Sequence, residues 1–204
     1  PLTVEITICY NKVLVSTREK IMGHKVTKVT VVAENPWTKI VKEELEYPGG
    51  KKGEYLIVER SIALAIIPIF KVDEKLHTVL VKQHRHPIGK DMLQFPMGGL
   101  KTGTEKETHA REELKQETGF DMERFFLLGE YYVDPGLSRQ KCVVYVAEGL
   151  RGKGEQDLEE TERGMTVHSV PVDTLLGMID SGEICDSWGI TQVTLLLRYL
   201  EKRT

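Results

Sequence analysis

Cysteine is scarce in this sequence, and nothing in it is long and apolar enough to span a bilayer. The three cysteines, Cys9, Cys142 and Cys185, are odd in number, far apart and without CxxC spacing. That excludes a disulfide framework or a thiolate metal site and predicts reduced packing residues in a cytoplasmic protein. The longest apolar stretch, residues 62–70, is short and carries Pro68, so no membrane partner is expected. Residues 1–10 lack a basic region followed by an apolar block, and no signal peptide is expected there. Charge of one sign is missing too: 28 basic residues against 31 acidic ones give a formal net charge of -3. No global field favours nucleic acid, and none is expected as a partner.

What is present is the composition of an ordinary globular chain. The 204 residues are 40% hydrophobic and 29% charged, enough to bury one core without staples. Residues 1–58 are rich in Val, Thr, Ile and Tyr, with period-two alternation over 25–32 and a turn at 47–53, which predicts a small antiparallel β subdomain. The main domain is expected over 59–204. There, 62–70 and 77–82 read as buried strands at the centre of a second sheet, around a polar turn at 71–75.

A Gly-rich loop at 98–103 leads into residues 105–118, which have few breakers and end at Gly119, placed as a C-terminal cap. This predicts a helix with a thin apolar stripe, Ala110 and Leu114. Strands follow at 125–133, 141–147 and 165–170, with a polar, acidic loop at 152–164. Helices are expected over 171–180 and about 187–202, the latter with Val193, Leu196, Leu197 and Leu200 at helical spacing. Strands and helices at irregular intervals indicate an α/β layered sandwich.

The helix over 105–118 has a high density of glutamates. Glu113 and Glu117 are four apart, so both project from one face and can reach one hard cation. Magnesium suits such a pair, because it takes carboxylate and carbonyl oxygen, keeps several waters and commonly bridges to a phosphate. Alone, the pair also describes a solvated helix whose acids meet lysines.

The stretch 98–120, Gly-Gly-Leu-Lys-Thr-Gly-Thr-Glu-Lys-Glu-Thr-His-Ala-Arg-Glu-Glu-Leu-Lys-Gln-Glu-Thr-Gly-Phe, resembles the signature of the Nudix hydrolases. Six of nine fixed positions match: Gly98, Glu113, Leu114, Glu117, Gly119 and Phe120. Thr104, Glu112 and Gln116 replace the family's Glu, Arg and Glu. Glu105 and Arg111 lie one residue off, but one step rotates a helical side chain by about 100°, which is not an equivalent position. The segments 82–89 and 93–99, the loop Asp134-Pro-Gly-Leu-Ser138 and the run 179–187 look like those of family members acting on ADP-ribose and nucleotide sugars. The likeness covers about residues 35–204.

The resemblance implies a Nudix-type α/β/α sandwich with a mixed sheet, plus the small N-terminal antiparallel β subdomain on the dimerisation and substrate side. It implies Mg2+ (or Mn2+) on Glu113, Glu117 and the Met97 carbonyl, and hydrolysis of ADP-ribose or a related nucleoside diphosphate sugar to a nucleoside monophosphate and a sugar phosphate. Arg85 at a strand end is the candidate for the diphosphate. Gly98, Pro135, Gly136 and Ser138 are candidates for holding the substrate, and Trp37 or Tyr55 for stacking the base. Glu160 or Glu162, in the acidic loop, is the candidate base for water. A homodimer is expected, because the N-terminal segment has too little core to stand alone. The three departures keep a second reading open, a Nudix fold that binds a nucleotide without turning it over. Gln94 and Gln140 stand where relatives often have Glu, so the pocket is less anionic. His168 and the other histidines show no ligand spacing.

Overall fold

The computed structural model describes residues 23–203; the expectations for residues 1–10 and Cys9 lie outside them. Three strands, β1 (Lys25–Glu34), β2 (Lys39–Glu46) and β3 (Lys52–Glu59), form an antiparallel sheet in that order. The second sheet contains β4 (Ala63–Val72), β5 (Lys75–Arg85), β6 (Lys90–Gln94), β7 (Met97–Gly99), β8 (Phe120–Tyr132), β9 (Lys141–Lys153) and β10 (Thr166–Pro171). Its central order is β10-β5-β4-β9-β8, with β6 on β5 and β7 on β4. β4 runs parallel to β9 and the other pairings are antiparallel, so the sheet is mixed.

β4 is buried over seven consecutive residues because both of its faces are covered. Its alternation divides the core. Ala63, Ala65, Ile67 and Ile69 meet Leu175, Val193 and Leu196 of α2 (Leu175–Asp180) and α3 (Ser187–Glu201). Leu64 and Ile66 face the other way, toward Ala110 and Leu114 of α1 (Lys106–Thr118). Helices on both faces complete the expected sandwich. The helix expected over 171–180 is shorter: β10 continues through Pro171, and one 3-10 turn, Val172–Thr174, precedes α2. β8 and β9 each run 13 residues, beyond the expected strands, because they pair with one another from Phe120–Lys153 to Tyr132–Lys141. Among the described residues no helix is long and apolar enough to cross a membrane.

The sheet opens at one place that matters for the site. β4 and β5 pair only from Ile69–Thr78 to Val72–Lys75, around a turn in which Asp73 and Glu74 take positive φ. Just beyond the last pair stands Pro68, whose nitrogen has no proton to give; its carbonyl accepts instead from the Thr78 hydroxyl at 2.8 Å. From there the strands part, β4 to β7 through residues 63–65 and β5 to β6 through residues 81–85. Phe95, fully buried, and Pro96, whose carbonyl accepts from the Ile66 N–H, fill the gap between.

α1 is positioned at both ends. The Glu105 side chain accepts from the Thr108 N–H, so this displaced acid is the N-cap, and Gly119 closes the helix with φ 74° and its N–H on the Lys115 carbonyl. A Cβ on Gly119 would meet the Gly154 carbonyl, whose residue donates its own N–H back to Gly119 O. Leu114 is the main apolar anchor of α1 on the sheet. Leu114→Ala is expected to lose about 2–5 kcal/mol in urea unfolding, whereas Lys115→Ala, on the exposed face, stays within about 0.5 kcal/mol.

Candidate active site

Two parallel rows of side chains on α1 are buried: Ala110, Leu114 and Thr118 in one, His109, Glu113 and Glu117 in the other. The first row packs on the core. The second lies against β7, and its burial makes it unlike a solvated helix face. Glu117 is 1% exposed, and its Oε2 accepts from the Met97 N–H at 2.9 Å. Burial pushes its pKa well above the ordinary carboxylate range, and the nearby charges of Glu162 and Glu113 push the same way; the Met97 N–H and Arg85 oppose them. Glu113 is also raised by burial, with His109 and Lys101 opposing.

Gly98 makes room for this arrangement. A Cβ there would run into the Glu113 carboxyl group, so any other residue would displace that carboxylate. Beside it, His109 is fully buried, with Nε2 3.0 Å from the Gly99 carbonyl and 3.0 Å from Glu113 Oε1. The last strand residue of β5, Arg85, donates from Nε to Gln94 Oε1 at 2.6 Å. Burial lowers the Arg85 pKa, while Glu117, Asp186 and Glu162 favour its charge. The loop after β9 covers the end of α1: Gln156 donates to Glu117 O at 2.6 Å, Asp157 N–H to Gln116 O and Gly154 N–H to Gly119 O. Three carbonyls that a helix C-terminus would leave unpaired are thereby satisfied.

The fold thus brings together Arg85, Met97, Gly98, Glu113, Glu117 and Glu162. It separates the two acids of the late loop: Glu162 lies within electrostatic reach of Glu113, Glu117 and Arg85, whereas Glu160 is 75% exposed and paired with Arg163 at 2.8 Å. The geometry therefore favours Glu162 over Glu160. Among the described residues no three His, Cys, Asp or Glu side chains are placed to hold a metal ion by themselves.

A second group forms at the junction of the two sheets. Tyr55 OH donates to Gly136 O at 2.8 Å, the Val58 N–H to Leu137 O, and Arg139 binds both Glu43 and Glu59. The Ser138 hydroxyl donates to Val58 O at 2.7 Å and accepts from the Gln140 N–H. Its single proton is held by the protein here, so Ser138 ties the Pro135–Gly136 loop to β3. Trp37 is 66% exposed in the β1–β2 turn, with its N–H on Asn35 Oδ1. Ser61 connects the two groups: its carbonyl accepts from Gln140 Nε2, and its hydroxyl lies where a Cβ of Gly99 would be.

The charges one residue off the Nudix positions are occupied elsewhere. Arg111 binds Glu107 and the Met122 carbonyl and lies 4.2 Å from the Phe125 ring centre. His109 was missed in the sequence, although its spacing of four from Glu113 was the available signal.

No protein-family model matches the chain. An ADP-sugar pyrophosphatase of Mus musculus is 32% identical over 185 residues, covering 81% of this chain and 82% of that protein. An ADP-ribose pyrophosphatase of Bacillus subtilis is 28% identical over 145 residues, 71% of this chain and 77% of that one. A methanol dehydrogenase activator of Bacillus methanolicus is 27% identical over 177 residues, 87% and 94% respectively. The crystal structure of an ADP compounds hydrolase shares the fold, with a TM-score of 0.75 at 18% identity, over 88% of this chain and 95% of that chain. The chain belongs to the Nudix hydrolase family. Within that family it sits with the ADP-ribose pyrophosphatase-like proteins.

The raised Glu117 pKa has a testable sign. A carboxyl that holds its proton more tightly folded than unfolded contributes full stability below the ordinary value of 4.5, and this is lost as pH rises through the elevated folded value. Without added divalent cation, Glu117→Gln is expected to raise the thermal midpoint by a few degrees at about pH 8 and by nothing near pH 4. Midpoints that differ equally at both pH values would refute this.

Proposed function

We propose that this chain hydrolyses the diphosphate of ADP-ribose, or of a related nucleoside diphosphate sugar, to a nucleoside monophosphate and a sugar phosphate. The observation that carries the reading is the buried pair Glu113 and Glu117, one helical turn apart against the backbone of Met97 and Gly98. The pyrophosphatase names of the relatives supply the substrate class.

A divalent cation, Mg2+ or Mn2+, suits this donor set. Glu117 and Glu113 are hard oxygen donors, each raised by burial and each within reach of another acid, so a cation would relieve the repulsion that now opposes their ionisation. The Met97 carbonyl is the third candidate donor, and waters and substrate oxygens would complete the shell. When bound, the ion would offset diphosphate charge and acidify a water.

The protein's own groups do the rest. Gln94 fixes the plane of the Arg85 guanidinium, whose remaining donors point the reading toward a phosphate fork. Glu162 is the acceptor for the water's proton, its carboxylate anchored through Oε2 on the Glu159 N–H. Gly98 lets the backbone approach closely, Pro135 and Gly136 shape the loop beside the second sheet, and Tyr55 or Trp37 offers a ring to the base.

A homodimer fits the N-terminal sheet, in the division of the chain into 1–58 and 59–204. All ten residues of β1 are exposed, among them Val26, Val29, Val31 and Val32, on a sheet edge that a second copy would cover. The free thiols of Cys142 and Cys185 accord with a cytoplasmic setting.

Incubation with ADP-ribose and Mg2+ or Mn2+ is expected to release AMP and ribose phosphate, with kcat/KM falling more than about 100-fold in Glu117→Gln. Saturable nucleotide binding without product from the wild-type chain would replace this reading with that of a non-catalytic nucleotide-binding module.

A further inference from the structure

His109 is the one fully buried histidine among the described residues, and nothing in the hydrolytic reading above uses it. It sits on α1 one turn before Glu113, inside the second buried row. All its polar neighbours are acceptors. Nε2 is 3.0 Å from the Gly99 carbonyl and 3.0 Å from Glu113 Oε1, and Nδ1 is 3.4 Å from Glu112 Oε2. Two acceptors facing one ring nitrogen require a proton on it, so Nε2 is the donor. Glu112 is half exposed and free to turn to water, which leaves the pair at Nε2 as the contact that fixes the ring.

The consequence is a clasp. Glu117 is tied to β7 directly, through the Met97 N–H. Glu113 lies over Gly98, whose missing side chain leaves room for the carboxyl group. Its orientation depends on a donor from the helix itself, and the residue immediately before it is another glutamate. His109 supplies that donor, and the Gly99 carbonyl, a backbone acceptor of β7, holds the ring in place.

We propose that His109 is the positioning residue for Glu113, its Nε2–H bridging the Gly99 carbonyl and the Glu113 carboxylate so that Glu113 and Glu117 are both registered against β7. The inference rests on reading Glu113 as a cation ligand. An orienting partner of this kind typically changes metal affinity by about 10- to 100-fold when removed.

The test is Mn2+ binding to the full chain without nucleotide, followed by electron paramagnetic resonance of the free ion. His109→Leu keeps the volume and removes the donor; His109→Gln keeps a donor at the place of Nε2. We expect a loss of about 10- to 100-fold in Mn2+ affinity for the leucine variant and near wild-type affinity for the glutamine variant. Unchanged affinity in His109→Leu overturns the inference, and so does an equal loss in both variants, which would make the ring's shape its only role. Should the leucine variant fail to fold, the 15N spectrum of the wild-type histidines decides. A ring with no proton on Nε2 overturns the proposal, and one with a proton there, whether or not Nδ1 carries a second, supports it. A wild-type chain that binds no Mn2+ overturns the cation reading and this inference together, whereas wild-type binding untouched by His109→Leu overturns this inference alone.

Discussion

The hydrogen bond from the Met97 N–H to Glu117 Oε2 ties a carboxylate that is almost wholly withdrawn from water to the edge of the central sheet. An isolated buried carboxylate is costly, and here Glu113 and Glu162 add their charge to the penalty. The surrounding structure is arranged to keep it there. Leu114 and Ala110 anchor α1 on the core, Gly119 and the loop over 154–157 close its C-terminus, and the parting of β4 and β5 beyond Ile69 and Thr78 brings β7 beneath the helix. Placing unfavourable charge in a buried, hydrogen-bonded part of a fold is the pattern expected where stability is exchanged for a binding function.

Most of the frame was legible because the determinants are local or periodic. Seven consecutive apolar residues in β4 mark a strand covered on both faces, and Gly119 ends α1 where a positive φ is required. What escaped reading depends on tertiary partners. The extra length of β8 and β9 follows from their mutual pairing, and the second helix lost Pro171 to β10, whose pairing with β5 continues to that residue, and Val172–Thr174 to a 3-10 turn. The pair Glu113 and Glu117 was readable from spacing, but its burial was not, since a helix with only Ala110 and Leu114 as apolar residues gives no sign that four polar neighbours are covered as well. Glu162 could be separated from Glu160 only once a 3-10 turn, Glu160–Glu162, left Glu160 exposed on Arg163 and Glu162 within reach of Glu117.

The residues offset from the Nudix positions show how one helical step redirects charge. Glu105 caps α1 and Arg111 packs over Phe125 on the opposite side from Glu113, so neither substitutes for the family residue beside it. His109, two residues before Arg111, returns to the site face because its spacing from Glu113 is a full turn. Compensation on a helix is found at i ± 4, across a turn, and not at the adjacent position.

The amides near the pocket give the sign of its unfilled charge. At position 94 a carboxylate would accept from Arg85 Nε as Gln94 does, but it would also cancel the guanidinium charge; the amide holds the plane and leaves the charge uncompensated by that neighbour. At position 140 a carboxylate could not donate to Ser61 O, the bond that joins the residue ahead of β9 to the connection between β3 and β4. One amide thus preserves positive charge at the mouth of the site and the other preserves a connection through the wall. The first arrangement suits a ligand that brings its own negative charge, as a nucleoside diphosphate does.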